Sequence, residues 1–283
     1  MISELETLPE NSQATRTRLR FIASALNRKD GGRLLDFGCG TGEHLTRHVG
    51  ILFPNYEVTG IDSDPKSIQF AKSAHKDIKN LHFTTRVPQN KRFDCIIASE
   101  VLEHVENPFE FLIHLRSRLK KDAHLILTVP NGYGGAECMS FIEACLTISG
   151  LMSCLRKVKG TVMPPKNKTN ITPDTLSVSP HINFFTFNKL QKLFHFCGLQ
   201  QVRYSGRMFL YDFISSPIFN KYEKMAVLNA NLGGCLPPSM VSDWMFLLKK
   251  GHDLPPDKKM PVYRRNIVEK FRRKINFRRW IGC

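Results

Sequence analysis

The chain has 283 residues, of which 42% are hydrophobic and 23% are charged. This balance is sufficient for a sizeable core and excludes global disorder, and the length suits one large domain or one domain with a cap. The eight cysteines are scattered and none forms a C-x-x-C pair, which indicates reduced thiols rather than a disulfide framework. The net charge is +16, and residues 249–283 hold twelve lysines and arginines against three acids, or +9 of that total.

Short apolar runs alternate with helical patterns along residues 31–250, after a lead-in segment 1–30 whose helix is predicted over 11–29. Strands are predicted at 33–37, 56–62, 81–84, 93–99, 123–129, 199–211 and 242–249, and helices at 65–75, 107–121 and 187–197. This alternation predicts an α/β fold, a doubly wound, mostly parallel seven-stranded sheet whose last two strands form an antiparallel pair.

Two insertions and a tail extend this domain. Residues 131–180 read as a helical cap, with the apolar run 138–155 as a buried or substrate-facing helix and 156–180 as a flexible loop. A second insertion spans 211–240. The basic tail, 251–283, contains an amphipathic helix predicted over 262–281, whose apolar stripe is expected to hold Tyr263, Ile267, Phe271 and Ile275. Such a tail suits an anionic membrane surface or nucleic acid.

Three glycines at alternate positions, Gly38, Gly40 and Gly42, follow the first strand. Glycine permits positive φ and lets a ligand approach the backbone closely. The spacing is neither the G-x-G-x-x-G of dinucleotide sites nor a P-loop, and it suits a ligand with an adenosine and a carboxylate but no phosphate. The second strand ends in Asp62, and an acid at that position can accept hydrogen bonds from ribose hydroxyls.

Four motifs in order resemble the class I S-adenosylmethionine-dependent methyltransferases: L-L-D-F-G-C-G-T-G at 34–42, G-I-D-S-D-P at 60–65, F-D-C-I-I-A-S-E-V-L-E-H-V-E-N-P at 93–108 and H-L-I-L-T-V-P-N at 124–131. The resemblance implies S-adenosylmethionine as cofactor. Where the family usually has an acid near the adenine, this chain has Thr85, so we expect Thr85 or the backbone there. The cofactor contacts implied are Asp36, Gly38, Cys39, Gly40, Gly42, Asp62, Ser63, Thr85, Ser99 and Glu100.

A hydroxyl that accepts a methyl group must lose its proton, to a general base or with the help of a metal. Glu100, Glu103 and His104 are one helical turn apart and could face one point. E-x-x-E-H with a distant histidine resembles ubiquinone-biosynthesis O-methyltransferases and small-RNA 2′-O-methyltransferases. That resemblance implies a divalent cation, Mg²⁺, Mn²⁺ or Zn²⁺, held by Glu100, Glu103, His104 and His181. The alternative is a metal-free enzyme in which His104 or His181 is the direct base.

The leading hypothesis is an S-adenosylmethionine-dependent O-methyltransferase for a small molecule, a glycan or a lipid-linked acceptor such as a quinol precursor. An RNA 2′-O-methyltransferase ranks below it, because the sequence shows no recognisable RNA-binding module. A non-catalytic scaffold is the third hypothesis, against which the intact glycine turn and Asp62 argue. The acidic N-terminus lacks an apolar signal region, so a cytoplasmic protein is expected, with peripheral contact at the inner face of the membrane through the tail.

Overall fold

The computed structural model describes residues 13–26, 30–149, 180–209, 222–254 and 261–281. Of the predicted loop at 156–180, only residue 180 is among the described residues. Residues 150–155 of the predicted cap run and 211–221 of the second insertion also lie outside them. Among the described helices, none combines the length and the apolar character needed to cross a bilayer.

Seven strands form one sheet. The strands are β1 Gly32–Phe37, β2 Tyr56–Ile61, β3 Leu81–Thr84, β4 Phe93–Ser99, β5 Leu119–Pro130, β6 Leu199–Gly206 and β7 Asp243–Lys250. Their order in the sheet is β3-β2-β1-β4-β5-β7-β6. β1 to β5 pair in parallel, and β7 runs antiparallel between β5 and β6. This confirms the predicted α/β, mostly parallel seven-stranded sheet.

Helices connect these strands and start where the sequence signals them. Asp64 accepts hydrogen bonds from the first turn of α3, and Asn107 does the same for α4, each with a proline in the first helical turn. The helices are α1 Gln13–Ala23, α2 Thr46–Leu52, α3 Pro65–Ala74, α4 Pro108–Arg118, α5 Gly135–Ile148, α6 Phe187–Phe196, α7 Glu223–Cys235 and α8 Ile267–Ile281.

The core lies on both faces of the sheet, which is why the central strands are continuous apolar runs. One face packs around Phe93, Phe185, Phe194, Trp244 and Phe246. The other packs around Ile22, Val49, Phe53, Val58 and Ile97, so that α1 covers this side of the sheet. With both faces covered, ligands have access at the edge where the parallel strands end.

Among the predicted boundaries that the structure moves, two lie between α4 and β5. β5 begins at Leu119 rather than at 123, and α4 ends at Arg118 rather than at 121. Leu119 is fully buried and pairs with Phe93 on β4, and Lys120 reaches back to Asp94 with its Nζ 2.7 Å from Oδ2. Residues 119–121 therefore belong to β5, because Leu119 pairs with β4, although the helical pattern alone would assign them to α4.

Ile267, Phe271 and Ile275 of the predicted apolar stripe lie one turn apart along α8, but the most deeply buried described residues of that helix are others. Ile267 is 85% exposed and Phe271 is 56% exposed, whereas Glu269 is 1% and Arg272 is 6% exposed. Of the predicted stripe, Tyr263 alone is buried, and it precedes the helix. α8 packs on the domain with charged residues that find buried partners there. Ionic pairing rather than apolar periodicity therefore selects the packed face.

Candidate functional site

The glycine turn follows β1 and has the conformation that glycine permits. Gly38, Gly40 and Gly42 have φ values of +78°, +54° and +75°. A Cβ at Gly38 would lie 2.5 Å from Cγ2 of Val101, and one at Gly42 would lie 2.8 Å from the ring of Phe83. Side chains at these positions would therefore disturb both the backbone and the packing around it.

Asp62, just after β2, ties the second strand to the turn. Its Oδ2 accepts a hydrogen bond from the N–H of Gly40 at 2.9 Å, and its Oδ1 accepts one from the N–H of Asp64 at 2.9 Å. The N–H groups of Gly38 and Cys39 both donate to the carbonyl of Ile61, at 2.8 and 2.9 Å. The two predicted cofactor motifs thus form one rigid unit at the carboxyl edge of the sheet.

Two further predicted cofactor residues lie at the turn, Asp36 buried and Cys39 half-buried. Asp36 is buried, accepts a 2.6 Å hydrogen bond from the hydroxyl of Thr46, and has a pKa that burial raises to about 6. Burial also raises the pKa of the Cys39 thiol, so this cysteine is not a nucleophile. Ser63 and Thr85, after β2 and β3, are exposed at the same edge.

Glu100 follows β4 in a left-handed conformation, with φ +56°, that few non-glycine residues adopt. Its Oε1 accepts a 2.7 Å hydrogen bond from the hydroxyl of Thr128, and that hydroxyl lies 2.9 Å from Ser99 Oγ. Burial would raise the pKa of Glu100, but Arg207 and Arg18 outweigh it and hold the pKa below its usual range. The Nη2 atoms of Arg18 and Arg207 lie 3.6 and 3.9 Å from Glu100 Oε1, so α1 reaches the site through Arg18.

A second group of side chains converges nearby. Glu103 and His104 lie in a 3-10 turn, Leu102–His104, after β4, and His181 precedes α6. One ligand atom from each of these three residues lies within 4.8 Å of the others. Glu103 Oε1 lies 3.7 Å from Nε2 of His104 and 4.0 Å from Nε2 of His181. The backbone N–H groups of Ile182 and Asn183 donate to the carbonyl of Glu103, at 2.9 and 3.0 Å, and hold the two segments together.

Both imidazoles have Nδ1 engaged by an acceptor. Nδ1 of His104 donates to the carbonyl of Pro180 at 3.2 Å, and Nδ1 of His181 donates to Oε1 of Glu137 at 2.6 Å. A ring with its hydrogen on Nδ1 carries its lone pair on Nε2 once it is neutral. Both lone pairs then face Glu103, in the arrangement by which proteins orient histidine ligands of metals.

The pKa values of the three side chains in this cluster differ strongly from their ordinary values. Burial raises the pKa of Glu103 to about 8, and the charge of Glu100 adds to the rise. Burial lowers the pKa of His104 to about 4, and His181 adds to the fall. Burial alone would lower the pKa of His181, but Glu137 outweighs it and raises the pKa to about 9. Such shifts concentrate at functional sites.

The three residues fit a divalent cation. Neither carboxylate oxygen of Glu103 has a hydrogen-bond partner among the described residues, although the side chain is fully buried; buried polar groups normally have one. Its distances to the two Nε2 atoms are too long for hydrogen bonds and fall within the span of two metal–ligand bonds of about 2.1 Å each. One carboxylate and two imidazoles suit Zn²⁺ or Mn²⁺ better than Mg²⁺, which prefers oxygen ligands.

Glu100, the fourth predicted ligand, lies outside this group of three. The prediction assumed that Glu100, Glu103 and His104 share one α-helical face. In the structure Glu100 is left-handed and a 3-10 turn starts after it, so its carboxylate faces Thr128 instead. The hydroxyl of Thr128 and the two arginines stabilise it there.

Sequence reasoning missed the residues that surround the predicted ones. Glu137 is the first of them, and its signal was its position as an acid just before the apolar run 138–155. No sequence pattern indicated that Arg18 and Arg207 would lie beside Glu100. Arg272 was one of many basic residues in the tail, and its burial could not be read from the sequence.

Comparisons with known proteins identify the family of this chain. A family model described as a methyltransferase domain matches residues 10–204. A mitochondrial ubiquinone biosynthesis O-methyltransferase of Schizosaccharomyces pombe is 32% identical over 123 residues, 40% of this chain and 44% of that protein. Its counterpart in Arabidopsis thaliana is 31% identical over 195 residues, 59% of this chain and 54% of that protein. The chain thus spans about half the length of the curated relatives it matches.

Solved structures share the fold. PKMT2 from Rickettsia typhi, determined in complex with AdoHcy, superposes with a TM-score of 0.52 at 16% identity, over 88% of this chain and 55% of that one. A chain from the complex between the Trm112 methyltransferase activator of Haloferax volcanii and a methyltransferase matches with a TM-score of 0.52 at 13% identity, over 88% of this chain and 95% of that one. The family match covers more than half of the chain, and the sheet and the glycine turn agree with it. The chain therefore belongs to the class I S-adenosylmethionine-dependent methyltransferases.

Proposed function

We propose that this protein O-methylates a hydroxyl of a small molecule, a glycan or a lipid-linked acceptor, and that the hydroxyl binds at a divalent cation held by Glu103, His104 and His181. The observation that carries the proposal is the buried Glu103 carboxylate, which has no hydrogen-bond partner among the described residues and faces two imidazoles. The relatives named for O-methylation in ubiquinone biosynthesis support an oxygen acceptor.

The reaction is an in-line displacement. The acceptor hydroxyl releases its proton to water, its oxygen bonds to the methyl carbon, the carbon–sulfur bond breaks, and the electron pair of that bond stays on sulfur as S-adenosylhomocysteine forms. The glycine turn and Asp62 hold the cofactor at the strand edge next to the cluster, which brings the reacting atoms together. A divalent cation, when bound, lowers the pKa of the acceptor hydroxyl. Glu103, His104 and His181 hold the cation, and Glu137 orients His181.

The test combines calorimetry with metal analysis. Purified protein is titrated with S-adenosylhomocysteine before and after chelation, and its content of Mg²⁺, Mn²⁺ and Zn²⁺ is measured. The proposal expects metal in the wild type, none in His181→Ala, and methylation of phenolic or vicinal hydroxyls that stops on chelation. Methylation that survives chelation would leave His104 or His181 as a direct base. Methylation of RNA alone would overturn the acceptor class.

We also propose that the outer face of α8 contacts an anionic membrane from the cytoplasmic side. Ile267, Lys270, Phe271 and Lys274 are spaced along one face of the helix, and all four are exposed. Apolar side chains interleaved with lysines are typical of helices that lie in a lipid interface, and each cation near anionic lipid adds about 1 kcal/mol. Since α8 packs against α5, which carries Glu137, this contact would bring a lipid-linked acceptor close to the site.

Co-sedimentation with vesicles tests this contact. Wild-type protein is expected to bind phosphatidylglycerol vesicles and not pure phosphatidylcholine vesicles. Phe271→Asp is expected to weaken that binding about tenfold or more, since a buried Phe contributes about 1.5–3 kcal/mol. Leu228→Asp on α7 is the matched control, because Leu228 is 57% exposed and Phe271 is 56% exposed. Equal binding by the two variants would overturn the assignment of α8.

A further inference from the structure

The inner face of α8 contacts the residues that frame the cluster. The Arg272 guanidinium is buried and stacks 3.9 Å from the ring centroid of Phe184. It donates to the carbonyl of Gly132 and, through Nη2, to the backbone carbonyl of Glu137 at 3.2 Å. Nη2 also lies 3.2 Å from Oε2 of the Glu137 carboxylate. Arg272 thus holds the start of α5 through one carbonyl before the helix and through the carbonyl and carboxylate of Glu137 in its first turn.

Glu137 connects this arginine to the cluster. One of its carboxylate oxygens faces Arg272, and the other accepts the 2.6 Å hydrogen bond from Nδ1 of His181. The backbone carbonyl of His181 also accepts a hydrogen bond from the side chain of Asn276, one turn further along α8, at 3.1 Å. α8 therefore contacts the backbone of His181 directly and its ring through Glu137.

A second set of contacts supports the other half of the cluster. Arg265, just before α8, donates to Oδ1 of Asn183 at 3.0 Å and to the carbonyl of Glu106 at 2.8 Å. The side-chain amide of Asn183 donates to the carbonyls of Leu102 and Val105, at 3.1 and 2.7 Å. These carbonyls flank the turn that carries Glu103 and His104. The tail is thus connected to both segments that supply the cluster.

We infer that Arg272 and Glu137 are positioning residues for His181, and that the C-terminal helix is a structural part of the cation site rather than an appended tail. The inference rests on the proposed cation site. Glu137 fixes the tautomer and direction of the imidazole through one carboxylate oxygen, and Arg272 holds the other oxygen of that carboxylate. Removing such an outer partner of a metal-ligating histidine typically weakens metal binding about 10-fold to 100-fold.

The experiment measures Mn²⁺ affinity of the full chain by electron paramagnetic resonance, which counts free Mn²⁺ directly. Glu137→Gln and Arg272→Gln are expected to bind Mn²⁺ about 10-fold to 100-fold more weakly than wild type. Arg273→Gln is the matched control, since Arg273 is the next residue on the same helix and pairs with the exposed Glu106 instead. It is expected to keep wild-type Mn²⁺ affinity.

Calorimetry with S-adenosylhomocysteine serves as the folding control, because its proposed site does not involve α8. All three variants are expected to bind it within twofold of wild type. If Arg272→Gln fails to fold, Glu137→Gln, which preserves the side-chain shape, decides the result. Wild-type Mn²⁺ affinity in folded Glu137→Gln would overturn the positioning role alone. Failure of wild type to bind Mn²⁺, Mg²⁺ or Zn²⁺ would overturn the proposed cation site, and the inference with it.

Discussion

The proposed cofactor end and the proposed acceptor end of the site are built in different ways. The central part of the cofactor end comes from one stretch of chain, in which β1, the glycine turn, β2 and Asp62 follow one another within residues 32–62. The acceptor end collects Glu103, Glu137, His181 and Arg272 from four separate segments. The first is held by backbone hydrogen bonds, whereas the second is held by buried charged side chains.

This difference implies two units that can be perturbed separately. Backbone geometry around the turn depends on glycine and on the carboxylate of Asp62, whose hydrogen bonds with the turn and with Asp64 lie within residues 38–64. The cluster depends on contacts across the whole chain, so one substitution in α8 can reach it. Changes at one end should leave binding at the other end intact, and the following substitutions test that separation.

The largest effect is expected for Glu103→Gln. The substitution preserves shape but removes the charge that a cation needs, so metal should be lost and kcat should fall by about 10³-fold, a loss of about 4 kcal/mol in transition-state stabilisation. Metal analysis and initial rates measure the two effects. Affinity for S-adenosylhomocysteine should stay within twofold, and a large loss of it would show that the two ends are not separate.

Asp62→Ala should act at the opposite end. It removes the acceptor of two backbone hydrogen bonds and the proposed ribose contact, and hydrogen bonds to charged groups contribute about 1.5–3 kcal/mol each. We expect S-adenosylhomocysteine to bind about 100-fold more weakly by calorimetry, while metal content stays at the wild-type level. Asp62→Asn, which keeps one acceptor oxygen, should show a smaller loss.

Asp36→Asn should change stability rather than chemistry. Burial raises the pKa of Asp36 to about 6, above its unfolded value, so the folded protein binds the extra proton between about pH 4 and 6. The wild-type free energy of unfolding therefore loses about 1–3 kcal/mol as pH rises through that window.

The amide that Asp36→Asn introduces does not titrate, so the variant should gain that amount relative to wild type between pH 4 and pH 7. Its oxygen can still accept the hydrogen bond from the hydroxyl of Thr46. Urea unfolding at pH 4, 5, 6 and 7 measures the difference. Parallel pH curves for the two proteins would contradict the assignment to Asp36.

The smallest effect is expected for Arg18→Ala, which removes a partner of Glu100 at 3.6 Å. Partly exposed ion pairs contribute about 0.2–1 kcal/mol, so S-adenosylhomocysteine should bind at most about fivefold more weakly. Calorimetry at low and at high salt tests this, because the difference from wild type should shrink as salt screens the pair. Arg18→Lys should recover most of the loss.

Most of the fold could be predicted from the sequence. The glycines, Asp64-Pro65 and Asn107-Pro108 are local signals whose meaning does not depend on distant residues, and the elements they predicted are present. The start of β5 could not be read in this way, because Leu119 fits the helical pattern before it and joins the strand through its pairing with Phe93.

The same distinction between local signals and distant contacts applies to the site. The grouping of Glu103, His104 and His181 was predicted through a resemblance, and the structure brings these three together. The direction of Glu100 could not be predicted, since it depends on a left-handed backbone and on Thr128 from the neighbouring strand. The burial of Arg272 and Glu269 could not be predicted from the sequence either, because their partners lie far away in the chain.

By itself the sequence determined the sheet and the glycine turn, because periodicity, helix caps and glycine conformation act over a few residues, and its motifs carried the resemblance to the family. Only the tertiary structure decided which face of α8 packs on the domain, and thereby joined Arg272 to Glu137 and His181. The physical reason is that a buried charge is stable only beside its partner. Which charges find partners depends on where the chain brings distant segments together.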